Sequence, residues 1–149
     1  MTQASQPFAI LLAEDEQADA HLVKAALVEN KIPADLHHVV DGREVLEFLR
    51  RQGPRFAGAP RPDLILLDLN MPRMDGRECL AALKQDAALR DIPVVILTTS
   101  DVERDVVAAY HLGAAGYITK SVDMVQFMAD IRGLGNYWID LVRQSHLPK

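Results

Sequence analysis

Leu64–Leu80 reads LILLDLNMPRMDGRECL. Leu64–Leu67 is an unbroken apolar run, the composition of a strand buried on both faces. It ends on a carboxylate, Asp68, and the chain then turns through Asn70, Met71, Pro72, Asp75 and Gly76 before helical spacing resumes at Arg77. A charge carried straight out of a core is costly unless it is paired or binds a metal. Asp68 therefore has a partner elsewhere in the chain, or it stands at the mouth of a site.

Outward from this stretch, apolar runs alternate with helical patterns. Phe8–Ala13 reads as another buried strand, Asp35–Val40 as a more polar strand nearer an edge, and Pro93–Thr98 and Gly116–Thr119 as two more. Gln17–Glu29 has helical spacing, with Ala18, Leu22, Ala25, Ala26 and Leu27 on one face. Arg43–Arg51, Arg77–Gln85 and Val102–Leu112 are further helices, the last stopping at Gly113. Val122 onward is helical again, with Phe127, Ile131, Leu134, Trp138 and Leu141 spaced to bury. Strands alternating with helices predict an α/β fold, a doubly wound five-stranded parallel sheet covered on both faces, in a single domain. The expected division is an N-terminal tail over 1–7, the domain over 8–135 and a C-terminal extension over 136–149. Gln52–Pro62, rich in Gly, Pro and Arg, is long for a connection in such a domain. It reads as a tolerated insertion or as cover for part of a partner surface.

Composition narrows the function. The chain has 149 residues, 49% hydrophobic and 25% charged, a globular balance. A net charge of −5 with both signs interspersed argues against a general nucleic-acid surface, which needs a basic stripe. No apolar run is long enough to span a membrane and the N-terminus lacks the pattern of a signal peptide. The single cysteine, Cys79, excludes an internal disulfide. A cytoplasmic protein with a reduced thiol is the expectation. Cys79 sits among Leu80, Ala81 and Leu83 and reads as a small core residue. The five histidines show no ligand spacing and read as surface or packing residues.

In open α/β sheets ligands sit outside the carboxyl ends of the strands. There the first strand delivers Glu14 and Asp15, the third Asp68 and Asn70, the fourth Thr98, Thr99 and Ser100, and the fifth Thr119 and Lys120. Crowded carboxylates repel, so one is protonated or a cation sits among them. Oxygen ligands at a solvent-facing rim suit Mg²⁺. Lys120 is a mobile point charge able to pair with Asp68 or with an added phosphoryl group, and Thr98 can donate to the same oxygens. A carboxylate can itself be a nucleophile and form an aspartyl phosphate. Singly, each residue has a plainer explanation; Asp15, for instance, can cap the first helix. The specificity lies in acids, hydroxyl and lysine appearing together on successive strand ends.

These residues carry a resemblance. Glu14–Asp15, Asp68 in LLDLNMPRMDG, Thr98 in VVILTTS, Tyr117 in GAAGYITK and Lys120 stand in the order and spacing of the receiver domain of two-component response regulators. The chain resembles that family from about Phe8 to Leu134. The resemblance implies a flavodoxin-like strand order 2-1-3-4-5. It implies that Asp68 takes a phosphoryl group from the phosphohistidine of a sensor histidine kinase. Mg²⁺ would be held by Glu14, Asp15, Asp68 and the backbone carbonyl of Asn70. Thr98 would follow the phosphoryl group, and Tyr117 would swing inward behind it. APRPDLILLDLNMPRMDGRE, IPVVILTTSD and NYWIDLV further resemble the small stand-alone regulators associated with bacterial phytochromes, which implies a bacteriophytochrome as the kinase. Where the family often has Lys-Pro, this chain has Lys120–Ser121. A cis bond before serine costs ~2.5–4 kcal/mol, so trans is expected there.

Three classes of function compete. The first is a phosphorylation-switched signalling module, slow to dephosphorylate itself. The segment after the last helix is too short for a helix-turn-helix, so its output would be protein–protein contact or onward phosphoryl transfer. The second is a small phosphatase with Asp68 as nucleophile. Such hydrolases usually place a general-acid aspartate two residues later, where this chain has Asn70. The third is a receiver-like scaffold that never takes phosphate, expected to lack Asp15, Asp68 or Lys120, all present here. A homodimer is expected from the spacing of Val102, Val106 and Tyr110 and from Tyr137, Trp138, Ile139 and Val142 in the tail.

Overall fold

Phe8–Ala13 (β1), Ala34–Val39 (β2), Leu64–Leu67 (β3), Val94–Thr98 (β4) and Gly116–Thr119 (β5) pair in parallel in the order β2-β1-β3-β4-β5. The computed structural model describes residues 8–98, 111–120 and 124–135, with the side chains of Thr98 and Met124 excepted. Its helices are Gln17–Glu29 (α1), Gly42–Leu49 (α2), Gly53–Phe56 (α3), Gly76–Gln85 (α4) and Met124–Leu134 (α5). The expected fold class and strand order are those observed. Residues 102–110 of the expected fourth helix, the Lys120–Ser121 bond and the tail beyond 135 lie outside the described residues.

The sheet is buried on both faces, which is why β1, β3 and β4 are unbroken apolar runs. Alternate residues serve opposite cores. Leu11, Ala13, Ile65, Leu67, Val94 and Ile96 face one side and pack with Val45 and Leu46 of α2 and Cys79, Leu80 and Leu83 of α4. Phe8, Ile10, Leu12, Leu64, Leu66, Val95 and Leu97 face the other and pack with α1 and α5. Each fully buried Leu or Ile contributes roughly 1.5–3 kcal/mol. β2 is an edge strand, and its half-buried Leu36, His37 and His38 account for its polar sequence.

One reading needs correction. The buried face of α1 is Ala20, Val23, Ala26 and Leu27, while Ala18 and Ala25 are exposed. Alanine is too small to mark a face, and the bulkier Val23 decides the orientation. The Gly/Pro/Arg-rich segment 52–62 has local structure of its own. It contains the single turn α3, whose Phe56 is buried and meets the Phe48 ring edge-on at 5.5 Å. Arg51 Nε donates to the Ala59 carbonyl at 2.7 Å and closes the loop on itself.

Two local devices fix the loop between β3 and α4. Asp75 caps α4 in a reciprocal box with Glu78: Glu78 N donates to Asp75 Oδ1 at 2.9 Å, and Asp75 N to Glu78 Oε1 at 3.5 Å. The loop is also tied to the start of α2, where Gly42 N donates to the Met74 carbonyl at 2.9 Å. The guanidinium of Arg73, a residue at φ 63°, ion-pairs with the fully buried Asp41. Asp41 also caps α2 by accepting from Glu44 N at 2.8 Å.

Arg73→Ala leaves the Asp41 carboxylate buried with its main counter-charge gone. The expected loss is about 1–3 kcal/mol, read as a lower urea midpoint with an unchanged m-value. Cys79 is fully buried against the Gly42 carbonyl, and burial, reinforced by Asp41 and Asp75, pushes its thiol from 9.0 up to about 12. Near neutral pH it stays a thiol and is a poor nucleophile. Iodoacetamide at pH 8 should alkylate it only after denaturation, and rapid alkylation of the folded protein would contradict this environment.

Candidate functional site

The parallel register aligns the ends of β1 and β3. Ala13 lies opposite Leu67, so the next residues, Glu14 and Asp68, leave the sheet side by side. Asp68 N donates to the Ala13 carbonyl at 3.1 Å and Glu14 N to the Val39 carbonyl at 3.0 Å, so both backbones are fixed by the sheet itself. β1 and β3 are neighbours whose chain continues away in opposite directions, the point in such sheets where a crevice opens. Glu14 and Asp68 are buried there and Asp15 is half-buried.

The partner that Asp68 requires is Lys120, delivered by the end of β5. Its ammonium lies 2.5 Å from Glu14 Oε1, 2.9 Å from Asp19 Oδ2 and 3.2 Å from Asp68 Oδ2. An ammonium has three N–H groups, and here three carboxylates receive them. Burial alone would lower the lysine's pKa. Hydrogen bonds to Glu14 and Asp19 and the charges of Asp68 and Glu14 outweigh it and hold the ammonium above its usual range. The acid that yields is Glu14. Burial pushes its carboxyl up to about 7, Lys120 pulls it down, and Asp68 pushes it up again. Both resolutions of carboxylate crowding are thus present, a cation among the acids and an acid driven toward protonation.

Glu14, Asp15 and Asp68 each offer a carboxylate oxygen, and these lie within 4.8 Å of one another. An all-oxygen, anionic donor set is the chemistry that hard divalent cations select. The residues therefore fit a divalent ion. Asp15 does not cap the first helix; the N-cap of α1 is Glu16, without a side-chain cap, and Glu14 Oε2 accepts from Glu16 N at 3.2 Å.

The remaining expected residues fall at the same rim or just behind it. Asn70 is exposed, and its N–H donates to Asp68 Oδ1 at 3.2 Å, which fixes that carboxylate's rotation. Thr98 closes β4 opposite Thr119 of β5, and its side chain lies outside the described residues. Tyr117 on β5 is half-buried against the core that contains α2 and α4.

Other contributors were not among the expected site residues. Asp19 is one: strand ends alone do not reveal it, and an acid in a helix's first turn already has an explanation in the helix dipole. His38 is another, with Nε2 2.7 Å from the Glu14 carbonyl oxygen. Gly76 is the third. A Cβ there would collide with the Asp68 carbonyl and come within 2.7 Å of Leu69 Cα, so α4 approaches the Asp68 backbone as only glycine permits.

Comparison with known proteins agrees with this geometry. The chain is 43% identical over 140 residues to the response regulator Rcp1 of Synechocystis sp., which covers 94% of this chain and 95% of that protein. The fold is similar to the crystal structure of the phosphorylated cyanobacterial phytochrome response regulator RcpA. The TM-score is 0.84 and the identity 43%, over 91% of this chain and 96% of that one. It is also similar to the Mn²⁺-bound form of Rcp1, with TM-score 0.83 and 43% identity over 96% of this chain and 100% of that one. Residues 10–132 match the response regulator receiver domain, and the chain belongs to that family.

Proposed function

We propose that Asp68 accepts a phosphoryl group from the phosphohistidine of a sensor histidine kinase. Phosphorylation on an aspartate is the mechanism of the family. The observation that carries the assignment is the Lys120 ammonium 3.2 Å from Asp68 Oδ2, beside the Glu14–Asp15–Asp68 oxygen cluster. In the transfer, an Asp68 carboxylate oxygen bonds to phosphorus and the phosphorus–nitrogen bond to the histidine breaks. The ring nitrogen keeps that electron pair and takes a proton from water. The Asn70 N–H on Oδ1 leaves the opposite oxygen, beside Lys120, as the attacking atom. Lys120 then donates to the phosphoryl oxygens. Thr98 donates to them as well, and Tyr117 turns inward behind it and so alters the surface near β4 and β5.

Mg²⁺ is the cofactor of this reading, held by Glu14, Asp15, Asp68 and the Asn70 carbonyl. A bound divalent ion shields the charge of the incoming phosphoryl group. Support comes from the donor set and from the Mn²⁺ bound in the similar Rcp1 structure. The phytochrome regulators to which the chain is similar favour a bacteriophytochrome-type kinase as the donor. The protein would work in the cytoplasm, lose its phosphoryl group slowly by its own hydrolysis, and signal by protein contact as a homodimer. Among the described residues no helix is long and apolar enough to cross a membrane.

Acetyl phosphate with Mg²⁺ should label the wild type once, on Asp68. Asp68→Asn or removal of the metal with a chelator should abolish labelling, while the circular dichroism spectrum of the variant stays native. Full labelling of Asp68→Asn would overturn the assignment. The dimer rests on Val102, Val106, Tyr110, Tyr137, Trp138, Ile139 and Val142, all outside the described residues. Light scattering at micromolar concentration should give twice the 16.5 kDa chain mass. A monomer mass both with and without phosphorylation would refute the dimer.

A further inference from the structure

Asp19 is the acceptor of Lys120 that the reaction leaves untouched. Of the lysine's three carboxylates, Glu14 and Asp68 belong to the oxygen cluster able to hold a divalent ion, and Asp68 is also the proposed acceptor of the phosphoryl group. Both have competing demands on their oxygens. Asp19 is not in that cluster, and its contact to the ammonium, 2.9 Å, is shorter than that of Asp68 at 3.2 Å. It stands in the first turn of α1, a helix anchored in the core through Ala20 and Val23, so its backbone is rigid. Asp19 has a 35% exposed side chain, whereas Lys120 is at 10%. The acid thus reaches in from the solvent side and meets a nearly enclosed ammonium.

We propose that Asp19 is the positioning residue for Lys120. It anchors the ammonium at the rim while a divalent ion draws on Glu14 and Asp68, and so keeps one N–H aimed at the reacting oxygens. This rests on the reading of Asp68 as phosphoacceptor. The plainer role for an acid at this place is to complement the helix dipole. That role predicts a loss of stability independent of Lys120; the positioning role predicts an effect that exists only through Lys120.

The test uses the full chain with ¹⁵N-labelled lysine side chains. The Lys120 ammonium signal is assigned by its loss in Lys120→Arg. In the wild type with saturating Mg²⁺ the signal should persist, protected from exchange by Asp19. In Asp19→Asn with Mg²⁺ it should broaden away, and in Asp19→Glu it should return. A signal of equal intensity in Asp19→Asn would overturn the proposal. In parallel, Asp19→Asn should slow acetyl phosphate labelling about tenfold, the size of one hydrogen bond to a charged group, and should add no slowing in a Lys120→Ala background. Equal slowing in both backgrounds would assign Asp19 to the helix dipole instead. A wild type that fails to label would refute the phosphoacceptor reading, and the ammonium spectra would still decide the role of Asp19.

Discussion

Three carboxylates share the mouth of this sheet because one ammonium lies among them. Without Lys120, the buried Glu14 and Asp68 would face each other uncompensated, and the desolvation cost of each would oppose folding. The arrangement is possible only because β5, far along the chain, returns beside β4 and presents Lys120 at the same edge as β1 and β3. The site is a consequence of strand order. In a parallel sheet every strand points the same way, so residues that follow strand ends gather on one rim regardless of their separation in sequence.

The rim needs a rigid frame. The sheet supplies it through backbone hydrogen bonds one residue past the regular ladder, where Asp68 N donates to the Ala13 carbonyl of β1 and Glu14 N to the Val39 carbonyl of β2. The loop after Asp68 is harder to fix, because it leaves the sheet. It is held from two sides: by the close approach of Gly76 to the Asp68 backbone, and by Arg73 and Met74 binding the start of α2. Asp41 links the two ends, since one carboxylate caps α2 and pairs with Arg73. A structural ion pair outside the site therefore contributes to the placement of the Asp68 carboxylate.

Much of this was legible in the sequence because parallel sheets impose strong patterns. Apolar runs such as Phe8–Ala13 and Leu64–Leu67 have few alternatives, and polar residues directly after them stand out. Asp68, Glu14, Asp15 and Lys120 were found on that ground. Asp19 was not, because its role depends on where a lysine 101 residues later arrives. The exposed Ala18 and Ala25 of α1 misled for a different reason: a methyl group gains so little from burial that tertiary packing overrides its pattern. Phe56 was hidden by its Gly- and Pro-rich neighbours, although a lone aromatic residue in such a loop needs somewhere to bury.

The same charges that make the site costly make it responsive. Three carboxylates, Glu14, Asp19 and Asp68, receive one ammonium, and Asp15 adds a fourth beside Glu14 and Asp68, so the rim carries excess negative charge when its acids are ionised. Adding a phosphoryl group increases that excess, which is why a divalent cation belongs to the reading and why the lysine alone does not suffice. Lys120 is saturated by its three acceptors, so it gains a phosphoryl oxygen only by giving up one of them. The longest of its contacts, and thus the least costly to exchange, is the one to Asp68, the atom pair that the chemistry itself would rearrange. On the proposed reading, phosphorylation of Asp68 would redirect a hydrogen bond within a fixed cluster instead of building a new one. On the reading proposed above, β5 is the element that would carry such a change away from the rim, because the strand that ends at Lys120 also holds Tyr117, half-buried against the core of α2 and α4.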